Sequence, residues 1–282
     1  MKHISDDNIY VPDNLTSSEA LKRVTHLAIG AHADDLEIFA IHGILACYES
    51  SDKWFGGLTV TDGANSPRTG SYKNTTNEEM VEIRRREQNE AAKIGKYAAQ
   101  IQLGVSSLEC KQISNYHLQE QLSEILLATM PTYIYTHNLV DKHDTHVAVA
   151  MHTINAVRAL DTKLSIEGFY GCEVWRSLDW MNDKDKVVLG SSDHESLALD
   201  LCSVYKSQIN GGKPYDKAAM ARRISNATFF ESNEVDNESA ITFAMDYKPL
   251  LLDRSLTPME LVDRHLKNFL KDTTDRLKKF SV

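Results

Sequence analysis

Between residues 24 and 160, short unbroken apolar runs alternate with longer stretches whose apolar residues recur every three or four positions. Runs of the first kind predict buried strands, and the second kind predicts amphipathic helices. "THLAIG", "WFGGLTVT", "AQIQLGV" and "TYIYTH" read as four strands. "DLEIFAIHGILACYES", "NEEMVEIRRREQNEAAKIG" and "LQEQLSEILLATM" read as the helices between them, the last stopping before Pro131. On the second helix Met80, Ile83, Glu87, Ala91 and Ile94 fall at helical spacing. "DTHVAVAMHTINAVRAL" follows the fourth strand as a further helix, with Asp144 as its expected N-cap. Upstream, "TSSEALKRV" starts a helix, with Thr16 and Glu19 at capping-box spacing. The alternation predicts an α/β fold, a Rossmann-like three-layer sandwich with a mostly parallel sheet and helices on both faces. Beyond residue 165 the pattern loosens. "IEGFYGCEVW" reads as a strand; "ESLALDLCSVYKSQ" and "PMELVDRHLKNFLKDTTDRLKKF" read as helical. With no repeat or linker-like tract, the expectation is one domain over residues 1–282, its core at roughly 25–160 and an elaboration at 161–282.

Composition narrows the function classes. Of 282 residues, 42% are hydrophobic and 25% charged, as in ordinary soluble globular proteins. A net charge of −9 disfavours nucleic acid or an anionic membrane as the main partner. The first residues carry no apolar core of a secretory signal, and no 18-residue apolar run predicts a membrane span, so a cytoplasmic location is expected. The four cysteines lie far apart without a C-x-x-C and read as reduced core residues.

The candidate chemistry sits at two strand ends. "GAHADDLEIFAIHG" brings His32, Asp34, Asp35 and Glu37 together just after the first strand. His137, Asp141, His143, Asp144 and His146 follow the fourth. In a doubly wound sheet of order 3-2-1-4 the chain reverses between strands one and four, and ligands bind in the crevice there. Aspartates ahead of a helix often serve only as caps. Capping does not explain "HDTH" as well. Two histidines and a carboxylate instead make a facial metal set with positions left for water and substrate. The long polar loop "DGANSPRTGSYKNTT" reads as functional rather than idle.

At these residues the chain resembles the PIG-L/LmbE family of metal-dependent N-acetylglucosaminyl deacetylases. "AHADDLE" is similar to that family's A-H-[PA]-D-D-x-E element, and "KHDTHVAV" to its second histidine element. "LTVTDGA" resembles its second strand ending; Arg84, Glu87, Ala91 and Gly95 match an R-x-x-E-x-x-x-A-x-x-x-G helix. The similarity covers roughly residues 25–160 and extends weakly to "VYKSQ". It implies that His32, Asp35 and His146 bind Zn2+, with Fe2+ or another divalent metal as alternatives. It implies Asp34 as general base, His143 facing the reacting carbonyl, Arg84 contacting substrate, and a homo-oligomer. For Arg84 the plain alternative is a solvated helix face, since Arg85 and Arg86 flank it. His143 is expected to act as a proton donor, oriented by Asp141 or Asp144, whose charge would favour its protonated form; the alternative is a histidine that caps the helix. Departures fall at Phe39 and at Ile41-His42, where glycines are common, and at Asp141, where some members carry tyrosine. No acidic substrate contact is evident in "LGVSSLECK". His42 reads as packed rather than as a fourth ligand. Trp175 and Trp180 read as packing before a sugar-stacking surface.

The expected reaction is hydrolysis of the acetamide of a small soluble GlcNAc-type sugar or conjugate, releasing acetate. Two rivals stand beside it. An Fe(II) oxygenase could use His32, Asp34 and His146, although such enzymes sit on all-β jelly rolls. A non-catalytic sugar- or metal-binding protein would keep the same ligands.

Overall fold

The computed structural model describes residues 1–233 and 235–280. Among these, eight strands form one sheet: β1 Ile9–Tyr10, β2 His26–Gly30, β3 Phe55–Thr61, β4 Ala99–Val105, β5 Tyr133–His137, β6 Gly168–Cys172, β7 Val187–Gly190 and β8 Ile241–Asp246. Their spatial order is β1-β4-β3-β2-β5-β6-β8-β7. The four strands predicted from apolar runs are β2 to β5, in the 3-2-1-4 order. Pairing is parallel from β4 across to β6 and antiparallel at both edges. Every residue of β2 and β3 is buried, as expected of strands covered on two faces. This is a mixed α/β fold, and it removes the jelly-roll frame of the oxygenase rival.

Among the described residues twelve α-helices accompany the sheet: α1 Ser17–Lys22, α2 Asp35–Phe39, α3 Ile41–Cys47, α4 Asn77–Ile94, α5 Ser107–Cys110, α6 Tyr116–Thr129, α7 Asp144–Leu160, α8 Glu195–Ser203, α9 Lys206–Ile209, α10 Tyr215–Thr228, α11 Pro249–Leu252 and α12 Pro258–Lys278. They bury two apolar clusters. Leu27, Ile29 and Leu58 pack with Leu122 of α6 and Val149 of α7. Ala28 and Tyr135 pack with Leu36, Ile44 and, from α8, Leu201. The capping box of Thr16 and Glu19 is present, and Thr76–Glu79 and Thr257–Glu260 repeat it. All four cysteines are buried and unpaired.

Three sequence expectations need correction. The predicted helix over "DLEIFAIHGILACYES" is two helices broken at Ala40. Its Glu37 and Ile38 carbonyls, which a continuous helix would use for Ile41 and His42, accept instead from the Arg223 guanidinium of α10. Asp144 is the first residue of α7 rather than its cap, because the His143 carbonyl already accepts from Val147. The inward face of α4 holds Met80, Arg84, Glu87, Gln88 and Ala91, so the stripe that packs is largely polar.

His26 at the start of β2 is buried and stacks on Tyr133 at 4.6 Å. Burial, helped by His42 and Lys53, lowers its pKa from 6.5 to about 4. In that window the unfolded chain binds a proton that the folded chain does not. Stability is therefore fully kept above about pH 6.5 and lost as pH falls toward 4, by on the order of 3 kcal/mol. In His26→Phe, which retains a stacking ring, urea-derived stability should fall less steeply over this window. Equal slopes in the two proteins would show that His26 does not carry the effect.

Candidate active site

β2 delivers the first ligand loop. At Gly30 a Cβ would lie 2.8 Å from Leu36 Cδ2, so glycine lets the following helix fold back over the strand end. Asp34 sits in the left-handed region at φ +88°, a conformation costly for a non-glycine residue and typical of functional strain. Asp35 then opens α2. Its Oδ2 accepts from the His32 backbone N–H at 2.7 Å, which ties the loop to its own helix.

The second loop meets the first at that point. His32 Nδ1 lies 3.2 Å from Asp35 Oδ2 and 3.2 Å from His146 Nε2. His146 Nε2 is 3.4 Å from Asp35 Oδ1. These separations match the edge of a tetrahedron with metal–ligand bonds of about 2.1 Å, roughly 3.4 Å. His146 and Asp35 are buried, while His32 is partly open. Burial favours neutral Asp35, but His146 and His137 outweigh it and hold the carboxyl well below its ordinary range. Burial likewise lowers His146 to about 4, against the pull of Asp35, so its ring is neutral as a ligand requires. Behind it Asp141 Oδ2 faces Nδ1 at 3.5 Å, the position of a carboxylate that orients a metal-binding imidazole. The donor set fits a divalent ion.

Residues 27–157 match the family model described as PIG-L, GlcNAc-PI de-N-acetylase. This segment is a PIG-L family domain. Among curated proteins none matches the chain. Solved structures share its fold. 4-carboxy-2-hydroxymuconate hydratase GalB from Pseudomonas putida KT2440 is 14% identical with a TM-score of 0.62, over 79% of this chain and 96% of that one. N,N'-diacetylchitobiose deacetylase from Pyrococcus horikoshii is 15% identical with a TM-score of 0.59, over 82% and 88%. The A40926 pseudoaglycone deacetylase Dbv21 is 15% identical with a TM-score of 0.58, over 79% and 97%. The fold thus hosts a hydratase as well as deacetylases, and the chemistry has to be argued from the site.

In the PIG-L domain Asp34 lies beside His32 and Asp35 on the wall of a cavity of about 630 Å³. Its Oδ2 accepts from Arg84 Nη2 at 2.6 Å. Burial pushes its carboxyl up to about 7; Arg84 opposes the rise and Asp35 adds to it. Arg84 is buried, so it is no solvated helix face. It also donates to the Ala33 carbonyl and to Glu87, and its Nε has no partner among the described residues. Glu87 in turn accepts from the Ser207 N–H and hydroxyl, both at 2.7 Å. Glu37, the last residue of "AHADDLE", is a fully buried hub. Gln88, Tyr97 and Tyr205 donate to it from α4, β4's approach and the start of α9, at 2.9, 2.7 and 2.5 Å.

His143 stacks on His146 at 4.5 Å and faces the cavity, and among the described residues its Nδ1 has no partner. Asp141 does not orient its ring. That carboxylate accepts from the His143 backbone N–H and faces His146 instead. Burial and His32 lower the His143 pKa, against Asp35 and Asp141, contrary to the expected favouring of its charged form. His137 was outside the predicted ligand set, yet it is fully buried 3.3 Å from Asp35 Oδ2 and stacks on His146 at 3.9 Å. Its Nε2 accepts from the Ala31 N–H at 2.9 Å. The sequence placed it in the cluster at the end of the fourth strand without assigning it a role. His42 is packed as expected, bonded to the Gly190 carbonyl at 2.8 Å. The polar loop supplies Gly63, Asn65, Ser66 and Pro67 to the cavity wall. The two tryptophans part company: Trp175 lines the cavity, whereas Trp180 packs against Phe269.

After dialysis against zinc and then buffer, wild-type protein is expected to hold about one ion per chain by elemental analysis, and His146→Ala to lose most of it. Asp141→Asn should weaken the affinity by about 10- to 100-fold. Full occupancy in His146→Ala would remove that residue from the ligand set.

Proposed function

We propose that the protein is a metal-dependent N-deacetylase that releases acetate from a GlcNAc-type amino sugar or a small conjugate of one. The observation that carries this reading is the convergence of His32, Asp35 and buried His146, with His32, Asp34 and Asp35 on the wall of one cavity. His32, Asp35 and His146 would hold the ion. A divalent metal there supplies Lewis acidity toward the acetyl oxygen and lowers the pKa of water toward about 7. Asp34 takes the proton from the attacking water and carries it to the departing amine nitrogen. Arg84 clamps Asp34 in its strained conformation and stands on the wall that substrate meets. His143 donates a hydrogen bond to the oxyanion that develops on the acetyl oxygen. The loop of Asn65 and Ser66 offers polar groups to sugar hydroxyls. No described helix is long and apolar enough to cross a membrane, which fits a small-molecule substrate rather than one reached by insertion.

A panel of N-acetylated sugars and sugar conjugates, assayed for acetate and free amine, tests the reading. Turnover should appear on an amino sugar and stop with chelator. Activity confined to N-acetylated amino acids or peptides would overturn it, as would hydration of an unsaturated acid with no acetate from any sugar.

Substitution separates the two neighbouring aspartates. Asp34→Asn should keep its metal and lose about 10²- to 10⁴-fold in kcat. His143→Ala should also keep its metal and lose about 10²- to 10³-fold. Metal loss in Asp34→Asn, with normal content in Asp35→Asn, would reverse the assigned roles.

A further inference from the structure

Outside the cavity the chain brings together another group of metal-ligating side chains. His3, on the arm ahead of β1, meets His117 and Glu120 of α6. A nitrogen of each imidazole and an oxygen of the carboxylate all lie within 4.8 Å of one another. His3 Nδ1 is 3.7 Å from Glu120 Oε2, and the two imidazoles meet edge to face at 5.7 Å. None of the three lines the cavity that holds Asp34.

His117 and Glu120 are three apart on a helix, so they stand on one face. Both are exposed, and their side chains can turn toward a common point. His3 is only partly exposed, and its backbone is fixed. The Glu124 carboxylate accepts from the Lys2 and His3 N–H groups at 2.7 and 2.9 Å, and Gln121 donates to the His3 carbonyl at 3.1 Å. Gln121 and Glu124 each lie four residues beyond His117 and Glu120, on the same face. One turn of α6 thus grips the backbone of the arm, and the turn before it receives the imidazole. A ligand fixed in advance spares part of the ordering cost of binding.

The plain reading of His3 and Glu120 is a weak surface ion pair. It gives no account of the second imidazole. Among the described residues neither ring makes a hydrogen bond, so the lone pair that a neutral imidazole carries is not spent within the protein. Two imidazoles and a carboxylate suit zinc, copper or nickel over magnesium or calcium. Ligand atoms around such an ion stand about 3.4 Å apart, so inward rotation of His117 and Glu120 completes three ligands and leaves a position for water.

We propose that His3, His117 and Glu120 form a second transition-metal site, weaker than the buried one, whose ion clamps the N-terminal arm to α6. From His3 the arm passes through buried Ile4 and the turn at Asp6–Asn8 to the pairing of β1 with β4. Asn8 donates to the Gln102 carbonyl at 2.8 Å at that end. The ion closes the other end, and so holds down the segment that covers the β4 edge of the sheet. The site is independent of the reaction carried out in the cavity.

The test starts from protein whose buried site already holds zinc and titrates in further zinc, with magnesium as the control. A second ion per chain should bind, leave on dialysis against buffer, and find no counterpart in the magnesium titration. His3→Gln and His117→Gln should each weaken it by at least about 10-fold while keeping the first ion, since losing a ligand costs no less than losing the group that orients one. Hydrogen exchange reads the clamp. With free zinc at about ten times the dissociation constant, the amides of residues 3–10 should exchange about 10-fold more slowly than with the first ion alone, and His117→Gln should cancel the slowing. No uptake beyond the first ion, or uptake that neither substitution weakens, would overturn the site. Uptake that both substitutions weaken, with exchange in the arm unchanged, would overturn the clamp.

Discussion

The site depends on the parallel pairing of β2 with β5, in which His26 faces Tyr133 and Ile29 faces Thr136. That register ends both strands at one level, so loops more than a hundred residues apart in sequence leave the sheet side by side. Two bonds lock it beyond the ladder. The Thr136 hydroxyl donates to the Ile29 carbonyl at 2.9 Å, and the Ala31 N–H donates to His137. A slip of one residue would turn every side chain to the opposite face and part Asp35 from His146.

Around this junction the protein spends polar groups rather than apolar ones. Arg84, Glu87 and Gln88 form the inward stripe of α4, and Glu37 gathers three donors from separate parts of the chain. Buried polar networks of this kind add little net stability but hold their members to a single geometry. What they fix here is the left-handed Asp34 and the pocket wall beside it. The strained backbone is held by contacts on both sides: Arg84 on the carboxylate, and Gln88 Oε1 accepting from the Asp34 N–H at 3.3 Å.

Much of this was legible in the sequence, for local reasons. Apolar runs marked β2 to β5, a capping box marked the start of α1, and strand order placed "HADD" against "HDTH". What escaped depends on distant partners. β8 follows a polar segment, and its antiparallel place between β6 and β7 has no local signature. At the break at Ala40, the Glu37 carbonyl is taken by an arginine 186 positions further along the chain. The burial of Arg84 was hidden by its neighbours Arg85 and Arg86, which share its charge but not its face. His137 looked like the end of a strand because it is one; only the fold brings it beside Asp35.

The Arg223 contact bears on how the chain is made. Synthesis runs from the N-terminus, so residues 27–157 leave the ribosome well before residue 223. Until then the Glu37 and Ile38 carbonyls lack their final donor, and the Ile41 and His42 N–H groups compete for them. The nascent segment is thus free to run α2 into α3 as one helix. Late arrival of α10 ends that alternative. The C-terminal third thus supplies the donor that holds the end of the helix bearing Asp35.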